Sequence, residues 1–232
     1  MNIVIEVTRK CNLACDHCLR GCAQNMNIKI EYIDKLFEII SDNDIDCIDL
    51  ALSGGEPSLN LKALKQIYMK LKHYHISLSS FYLATNGINN DNKNFILILL
   101  DFYSLVDNKD MFCVDISDDV QHQYERGYTA AFMDDELIYG LKGVKLKDRY
   151  TDYSYEGAIR EGRAKENNFK GRENIIDTEI NLDDTSFYLN CKGNIINGCD
   201  WSYESQDRPE IIISDVYSFD KVLDKLILKR RG

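Results

Sequence analysis

The sequence has no long hydrophobic run, little proline and no excess of positive charge. Its longest uninterrupted apolar run is 95–100, far shorter than the roughly 20 residues that span a bilayer. With 28 Lys and Arg against 38 Asp and Glu, the net charge is −10, which repels polyanions at long range. We therefore expect neither a membrane-spanning segment nor a nucleic-acid partner.

The chain also lacks a recognisable linker, repeat or targeting segment. It has two prolines among 232 residues and no glycine- or serine-rich tract, so we expect one large domain or a domain with a small appendage. Residues 1–6 have neither the basic part nor the apolar core of a secretory signal. We therefore expect a cytoplasmic protein, in which cysteines more often bind metals or catalyse than form disulfides.

Strand-like and helix-like segments alternate in the first half of the chain. Apolar, β-branched stretches predict strands, and apolar residues spaced by three or four predict amphipathic helices. The predicted strands are 3–7, 45–52, 78–85 and 112–116, and the predicted helices are 30–40, 61–71 and 95–105. Such units form a parallel sheet, in a barrel or a doubly wound fold, with ligand sites at the C-terminal ends of the strands.

Half of the eight cysteines lie in a short segment after the first predicted strand. These four are Cys11, Cys15, Cys18 and Cys22, and the others are Cys47, Cys113, Cys191 and Cys199. Three closely spaced thiolates can hold an iron–sulfur cluster or zinc, and three ligands leave one metal position open for a small molecule. Cys22 or His17 would complete a structural zinc site instead. We interpret Cys47 and Cys113, beside and within predicted strands, as buried free cysteines.

The spacing Cys11-x3-Cys15-x2-Cys18 at the end of a first strand resembles the signature of the radical S-adenosylmethionine (radical SAM) superfamily. His17 matches the ring-bearing position before the third cysteine. Further similarity, over roughly residues 1–165, lies in 53–57 with its Gly-Gly-Glu, in 84–87, in 116–118 with His122 and Arg126-Gly127, and faintly in 162–164. Alone, these later motifs are also ordinary turns and helix caps. For Gly54-Gly55-Glu56, the position after the second strand, behind the cysteine loop, favours a functional role, whereas a turn at 85–87 and a helix cap at 117–118 stay equally open interpretations.

The resemblance implies an α/β fold, a partial (β/α)6 TIM-like barrel of parallel strands. Residues 1–170 would form the core, and residues 171–232 a short strand-and-helix cap. The implied cofactors are a [4Fe-4S] cluster and SAM. An electron donor such as flavodoxin or ferredoxin would reduce the cluster, and SAM would then be cleaved to give a 5′-deoxyadenosyl radical. The implied metal ligands are Cys11, Cys15 and Cys18, and the implied cofactor-binding residues are His17, Gly54, Gly55, Glu56, Asn86 and Ser117.

Elementary chemistry supports two of these roles. Glycine allows a backbone to approach a ligand closely, and the Glu56 carboxylate can accept charge-assisted hydrogen bonds from the amino group of SAM.

The segment from Cys191 to Cys199 predicts a hairpin and resembles the opening of the cysteine-rich SPASM and twitch extensions, which bind auxiliary clusters. No cysteine follows Cys199, so we interpret the hairpin as vestigial or structural. With an open half-barrel, it favours a peptide or protein substrate. A small-molecule substrate is the nearest alternative, and a non-catalytic iron–sulfur or zinc protein is the alternative from another class.

Overall fold

The computed structural model describes residues 1–88, 91–119, 122–124, 141–147, 158–176 and 179–231. All predicted strands and helices of the first half are present, with ends that differ by a few residues. The strands are β1 Asn2–Thr8, β2 Cys47–Gly54, β3 Ser77–Thr85, β4 Phe112–Ser117, β5 Val144–Lys147, β6 Ala158–Ile159, β7 Gly171–Arg172, β8 Ser186–Leu189, β9 Asn194–Asn197 and β10 Ile212–Asp215. The helices are α1 Ile30–Asp42, α2 Leu61–His73, α3 Asn92–Leu105, α4 Gly162–Glu166 and α5 Phe219–Arg231. The Arg126-Gly127 pair lies outside the described residues.

Eight strands form one sheet in the order β10-β9-β8-β1-β2-β3-β4-β5. The six strands from β8 to β5 in this order are parallel, and β9 and β10 add antiparallel strands at one edge. The expected α/β class with a mostly parallel sheet is therefore confirmed. Over the described ranges, the edge strands β10 and β5 do not pair with each other. The sheet is therefore open, as expected for a partial barrel.

One face of the sheet packs against the helices because the strands alternate in polarity. In β1, Ile3, Ile5 and Val7 belong to the main core, whereas Val4 belongs to a second cluster. Helix α1 meets this core with a fully buried apolar stripe that includes Leu36 and Phe37. Burial of each such side chain contributes about 1.5–3 kcal/mol, so the sequence period that predicts the helices also determines which way they face.

The predicted C-terminal hairpin is present and joins the main sheet. Strand β8 pairs in parallel with β1, with Ile3 beside Phe187, and β9 returns antiparallel to it. Trp201 packs in the second cluster, and helix α5 buries Phe219 and Leu223 in the main core. The hairpin thus lies directly beside the strand that leads into the cysteine loop. A domain boundary near residue 170 stays a prediction.

Two further features concern the surface. Cys47 is exposed, so the prediction of a buried cysteine there is wrong; it is the first residue of β2, at the end of the strand away from the cysteine loop. Among the helices that the structure describes, none is long and apolar enough to cross a membrane.

Candidate metal and cofactor site

The cysteine loop follows β1 at the C-terminal edge of the sheet. Its backbone folds into successive turns, in which the Cys18 amide donates to the Cys15 carbonyl (3.2 Å) and the Gly21 amide donates to the Cys18 carbonyl (3.3 Å). Cys11, Cys15 and Cys18 are all half-buried. They line a cavity of about 410 Å³ at the strand ends, so the loop brings the three predicted ligands to one space.

Gly54 and Gly55 hold the cysteine loop against the end of β2. The Gly55 amide donates to the Thr8 carbonyl (2.8 Å), and the Glu56 amide donates to the Lys10 carbonyl (2.8 Å). A Cβ at Gly55 would lie 2.2 Å from the Lys10 carbonyl oxygen, a distance that only backbone movement could relieve. The two glycines line the cavity, and their lack of side chains lets the first cysteine approach the second strand.

Glu56 is 1% exposed and links two strand ends. Its Oε1 accepts from the Ser58 amide (3.0 Å) and the Thr85 hydroxyl (2.7 Å), and its Oε2 accepts from the Asn86 amide (2.7 Å). All three donors are neutral, and no Lys, Arg or His forms a salt bridge with it within the described ranges. Burial therefore raises the pKa of Glu56, although these hydrogen bonds act against the increase.

Asn86 connects the turn after β3 to the cysteine loop. Its side-chain oxygen accepts from the Ile88 amide (2.9 Å), and its Nδ2 donates to Asn12 Oδ1 (2.8 Å) and lies 4.0 Å from Cys11 Sγ. Asn12 in turn donates to the Ile88 carbonyl (2.9 Å). The Thr-Asn-Gly turn is therefore joined to the first cysteine by reciprocal side-chain contacts, which sequence alone does not reveal.

After β4, a histidine contacts the second cysteine, and an aspartate contacts that histidine. His122 Nε2 lies 3.5 Å from Cys15 Sγ, while His122 Nδ1 lies 2.6 Å from Asp119 Oδ2. Burial alone would raise the pKa of Asp119, but hydrogen bonds from His122 outweigh it and lower the pKa. His17 lies on the other side, with Nε2 3.7 Å from the same carboxylate oxygen. Asp119 was not among the predicted residues, although its place two residues after the end of β4 is a signal for it.

The faint Gly-Arg-Ala similarity lies directly on the cysteine loop. Gly162 has φ +51°, and a Cβ there would lie 2.4 Å from the Gly21 nitrogen. The Arg163 amide donates to the Cys18 carbonyl (2.9 Å), and its guanidinium donates to the Cys15 carbonyl (3.0 Å) and to Asp16 (2.9 Å). The start of α4 therefore contacts the later part of the cysteine loop, whereas the Gly-Gly pair contacts its beginning.

The nine residues that the sequence predicts for the site come together. The wall of the larger cavity includes Cys11, Cys15, His17, Cys18, Gly54, Gly55, Glu56, Asn86 and Ser117. Nothing in the geometry assigns a ligand to each side chain, so the individual roles stay predictions.

The sequence of residues 4–122, just over half of the chain, matches the family described as 4Fe-4S single cluster domain. The chain belongs to this family. The match covers β1, the cysteine loop and the strand ends that form the cavity, and with the fold it confirms the expected membership of the radical SAM superfamily. It also confirms the expected enzyme class and iron–sulfur cofactor. No curated protein matches the chain.

Solved structures of radical SAM enzymes share the fold at low identity. The chain is 14% identical to native anSMEcpe with bound AdoMet, with a TM-score of 0.56 over 93% of this chain and 78% of the other. It is 12% identical, with a TM-score of 0.56 over 93% and 77%, to anSMEcpe with bound AdoMet and the Kp18Cys peptide. It is 13% identical, with a TM-score of 0.55 over 100% and 87%, to BtrN in complex with AdoMet and 2-DOIA.

In this radical SAM chain, a buried charge network joins the cysteine loop to the C-terminal hairpin. Glu6 Oε1 accepts from Arg9 Nε (2.6 Å) and the Cys191 amide (2.9 Å), and its Oε2 accepts from the Tyr188 hydroxyl (2.8 Å) and Gln206 Nε2 (2.9 Å). Burial alone would raise the pKa of Glu6, but the charges of Arg9 and Arg20 and these hydrogen bonds lower it.

Arg20 extends the same network into the cavity. Its guanidinium donates to the Trp201 carbonyl (2.7 Å) and to Ser53 Oγ (2.9 Å), and it lies 4.9 Å over the ring of Tyr188. Because Arg20 follows the third cysteine by two residues, these contacts fix the C-terminal end of the loop. The hairpin and the segment after it therefore support the site, although their sequence similarity to the SPASM and twitch extensions is poor.

The remaining cysteines of the site differ in their surroundings. Cys191 is buried and its Sγ donates to the Glu6 carbonyl (3.2 Å), and burial raises its pKa. Cys199 lines the larger cavity beside Asp200, and burial raises its pKa to about 11. Cys22 is exposed and borders a second cavity of about 130 Å³ with the three predicted ligands. The site thus contains two thiols beyond the predicted three, one in each cavity.

The donor set fits an iron–sulfur cluster. Thiolates are the ligands that such clusters take, and the three thiols share a space that is half-buried rather than sealed. Burial raises the pKa of Cys11 to about 11 and raises the pKa of Cys15, so a bound cation would offset the cost of their deprotonation.

A second grouping also exists: Cys15, His17 and His122 place donor atoms within 4.8 Å of one another, the spacing of a mononuclear metal site.

Proposed function

We propose that Cys11, Cys15 and Cys18 bind the [4Fe-4S] cluster and that SAM binds in the adjoining cavity. When bound and reduced by an external donor, the cluster would supply the one electron that splits SAM into methionine and a 5′-deoxyadenosyl radical able to abstract hydrogen from a substrate. A single observation carries this proposal: three half-buried thiols and a buried carboxylate, which has no cationic partner among the described residues, line one cavity of about 410 Å³. This volume lies within the usual range of small-molecule sites.

Glu56 is the residue that recognises the amino group of SAM. Its carboxylate is buried among neutral donors, so a ligand cation would gain a strong, charge-assisted interaction there. Asn86 and Ser117, at the ends of the next two strands, contact the carboxylate or ribose of SAM. Gly54 and Gly55 set the distance between Glu56 and the cysteine loop through their close approach to Thr8 and Lys10.

His17 and His122 act on the cysteine loop from the far wall. His122 contacts Cys15 Sγ, and Asp119 holds its ring by a 2.6 Å contact to Nδ1. His17 packs its ring edge against Phe169, with 6.3 Å between centroids. The two histidines and Phe169 therefore exclude water from one side of the thiols.

The substrate is a peptide or protein in this proposal. The part of the sheet beside the cavity is polar: Tyr82 lines the cavity and donates to Asp115 (3.0 Å), and Lys147 contacts the same carboxylate (2.9 Å). A row of hydrogen-bonding groups that runs from the cavity along two strands suits a substrate longer than the cavity. Structural similarity to the peptide-bound anSMEcpe supports this view.

A small-molecule substrate is the second candidate. It is supported by the similarity to BtrN with 2-DOIA, which extends over the full length of this chain. Peptides and small metabolites encoded or made by neighbouring genes would be incubated with the reduced enzyme and SAM. Transfer of deuterium from a labelled peptide into 5′-deoxyadenosine supports the first candidate, and transfer from a labelled metabolite supports the second. A flavodoxin or ferredoxin is the proposed electron donor.

Anaerobic reconstitution tests the proposed function. The wild-type protein should bind iron and sulfide, turn brown and, once reduced, release 5′-deoxyadenosine from SAM. Changing any one of Cys11, Cys15 and Cys18 to Ala should abolish this release. The matched control is Cys22→Ala. This variant should keep most of the 5′-deoxyadenosine release, because a cluster with one open iron position needs only three protein ligands.

Other outcomes would contradict specific parts of the proposal. Loss of the cluster in Cys22→Ala would show that a fourth thiol closes the site. A colourless zinc protein whose metal is lost on changing His17 or His122 would instead favour the mononuclear grouping with Cys15.

A further inference from the structure

Tyr203, in the segment after β9, has a buried hydroxyl group. The residue is 3% exposed, and within the described part of the chain its hydroxyl oxygen makes no hydrogen bond. Buried hydroxyl groups are normally paired, because an unpaired one gives up its bonds to water without replacement. This hydroxyl therefore needs an acceptor that the described residues do not supply.

The ring of Tyr203 is held in place from two sides. Its backbone amide donates to the Arg20 carbonyl (3.0 Å), which ties it to the residue two positions after the third cysteine. The guanidinium of Arg9 lies 4.7 Å from the ring centroid. These contacts fix the ring without engaging its hydroxyl, so the direction of the hydroxyl is set by the fold.

The space beside Tyr203 is the smaller cavity, of about 130 Å³, whose wall also includes Cys11, Cys15 and Cys18. Burial raises the pKa of Tyr203, and the nearby Glu6 and Cys18 charges raise it further. The phenol thus stays protonated and remains a donor. Four thiol-bearing residues, Cys11, Cys15, Cys18 and Cys22, share the wall of this cavity with Tyr203.

We propose that the Tyr203 hydroxyl donates a hydrogen bond to a sulfur atom of the cluster site and thereby raises the reduction potential of the cluster. Hydrogen bonds to sulfur stabilise the more negative, reduced form of an iron–sulfur cluster. This inference rests on the proposed function, since it requires a cluster on the three cysteines. It assigns a second task to the C-terminal segment, beyond holding the loop.

The test compares Tyr203→Phe with Tyr217→Phe. Tyr217 is 54% exposed, so its hydroxyl serves as the control. Each variant would be reconstituted anaerobically, and its cluster potential would be measured by redox titration followed by electron paramagnetic resonance. We expect a more negative potential for Tyr203→Phe and an unchanged potential for Tyr217→Phe. In the metal-free protein, Tyr203→Phe should not lower the thermal midpoint, because no protein hydrogen bond is lost.

Every other outcome contradicts the inference. An unchanged potential in Tyr203→Phe would show that the hydroxyl does not reach the cluster. A lower thermal midpoint of the metal-free variant would reveal a protein partner. A folded Tyr203→Phe variant that holds no cluster would indicate a structural role larger than one hydrogen bond. In that case, Tyr203→Met should hold no cluster either. A wild-type protein that holds no cluster would overturn both this inference and the proposed function.

Discussion

Glu6 and Glu56 are both almost completely buried near the cysteine loop, but the groups around the two carboxylates differ in charge. Glu6, in β1, accepts from Arg9 and lies close enough to Arg20 for that charge to lower its pKa. Glu56, just after β2, accepts from Ser58, Thr85 and Asn86 and from no other residue in the part of the chain that the structure describes. The charge of the first carboxylate is therefore compensated by two arginines, whereas the described residues place no such cation beside the second.

This difference separates structural support from ligand recognition. A buried charge with a full set of partners holds its neighbours together, and Glu6 joins β1 to the C-terminal hairpin in this way. A buried carboxylate with only neutral donors is costly until a cation arrives. The hairpin side of the cysteine loop is therefore the side that supports it, and the Gly-Gly-Glu side is the one that we propose binds the ligand.

The largest expected effect is that of Glu6→Gln on stability. The change removes the charge but keeps the size, and it leaves the buried Arg9 without its charged partner. Breaking a buried ion pair at one partner costs about 3–5 kcal/mol, so we expect a loss of this size in the free energy of unfolding of the metal-free protein, measured with urea.

Asp207→Asn provides the control, since Asp207 pairs with Lys192 at the surface with both side chains well exposed. Exposed pairs contribute about 0–1 kcal/mol. If the two variants lost similar amounts of stability, Glu6 would not be the centre of a supporting network.

The next effect is that of Glu56→Gln on SAM affinity. A hydrogen bond to a charged group contributes about 1.5–3 kcal/mol, so we expect SAM binding to the reconstituted protein to weaken by roughly ten- to a hundredfold. Iron content should stay at the wild-type value, because Glu56 contacts none of the three thiols directly in the proposed arrangement. Equilibrium binding of SAM to the oxidised, cluster-loaded protein measures this effect.

Glu161→Gln is the matched control for this change. Glu161 is also buried and accepts from the neutral Ser205 hydroxyl (2.7 Å), but it does not line the cavity. SAM affinity should be unchanged in this variant. Wild-type affinity in Glu56→Gln would remove Glu56 from the binding site.

The sequence predicts the sheet and the cavity wall well because both depend on local patterns. Alternating Ile3, Ile5 and Val7 predict the first strand, and parallel strands bring their C-terminal ends to one edge. Glu56 and Asn86 therefore had to lie near the cysteine loop once their strands were predicted. The contact between them, 30 residues apart in the chain, follows from the same rule.

Contacts between distant segments could not be predicted in this way. Arg9 and Gln206 are 197 residues apart and meet at 2.6 Å, and no periodic pattern connects them. One signal was present: Glu6 and Arg9 are charged residues in and just after an apolar strand, and buried charges need partners. Cys47 was mispredicted because its position at the start of β2 exposes it, whereas the strand pattern describes the middle of the strand.

The smallest expected effects are pH-dependent and have opposite signs for the two glutamates. The pKa of folded Glu6 is below the ordinary value of 4.5, so its stabilising effect is present above that value and is lost as the pH falls through its folded pKa. The pKa of folded Glu56 is above 4.5, so its contribution is present below that value and is lost as the pH rises through its folded pKa.

Urea unfolding of the metal-free protein across this range measures both slopes. The stability advantage of the wild type over Glu6→Gln should shrink as the pH falls below 4.5. The stability of the wild type relative to Glu56→Gln should decrease as the pH rises above 4.5. Slopes of the same sign would mean that Glu56 has a cationic partner inside the protein. The carboxylate would then be compensated before SAM binds, and the two sides of the cysteine loop would not differ in the way described.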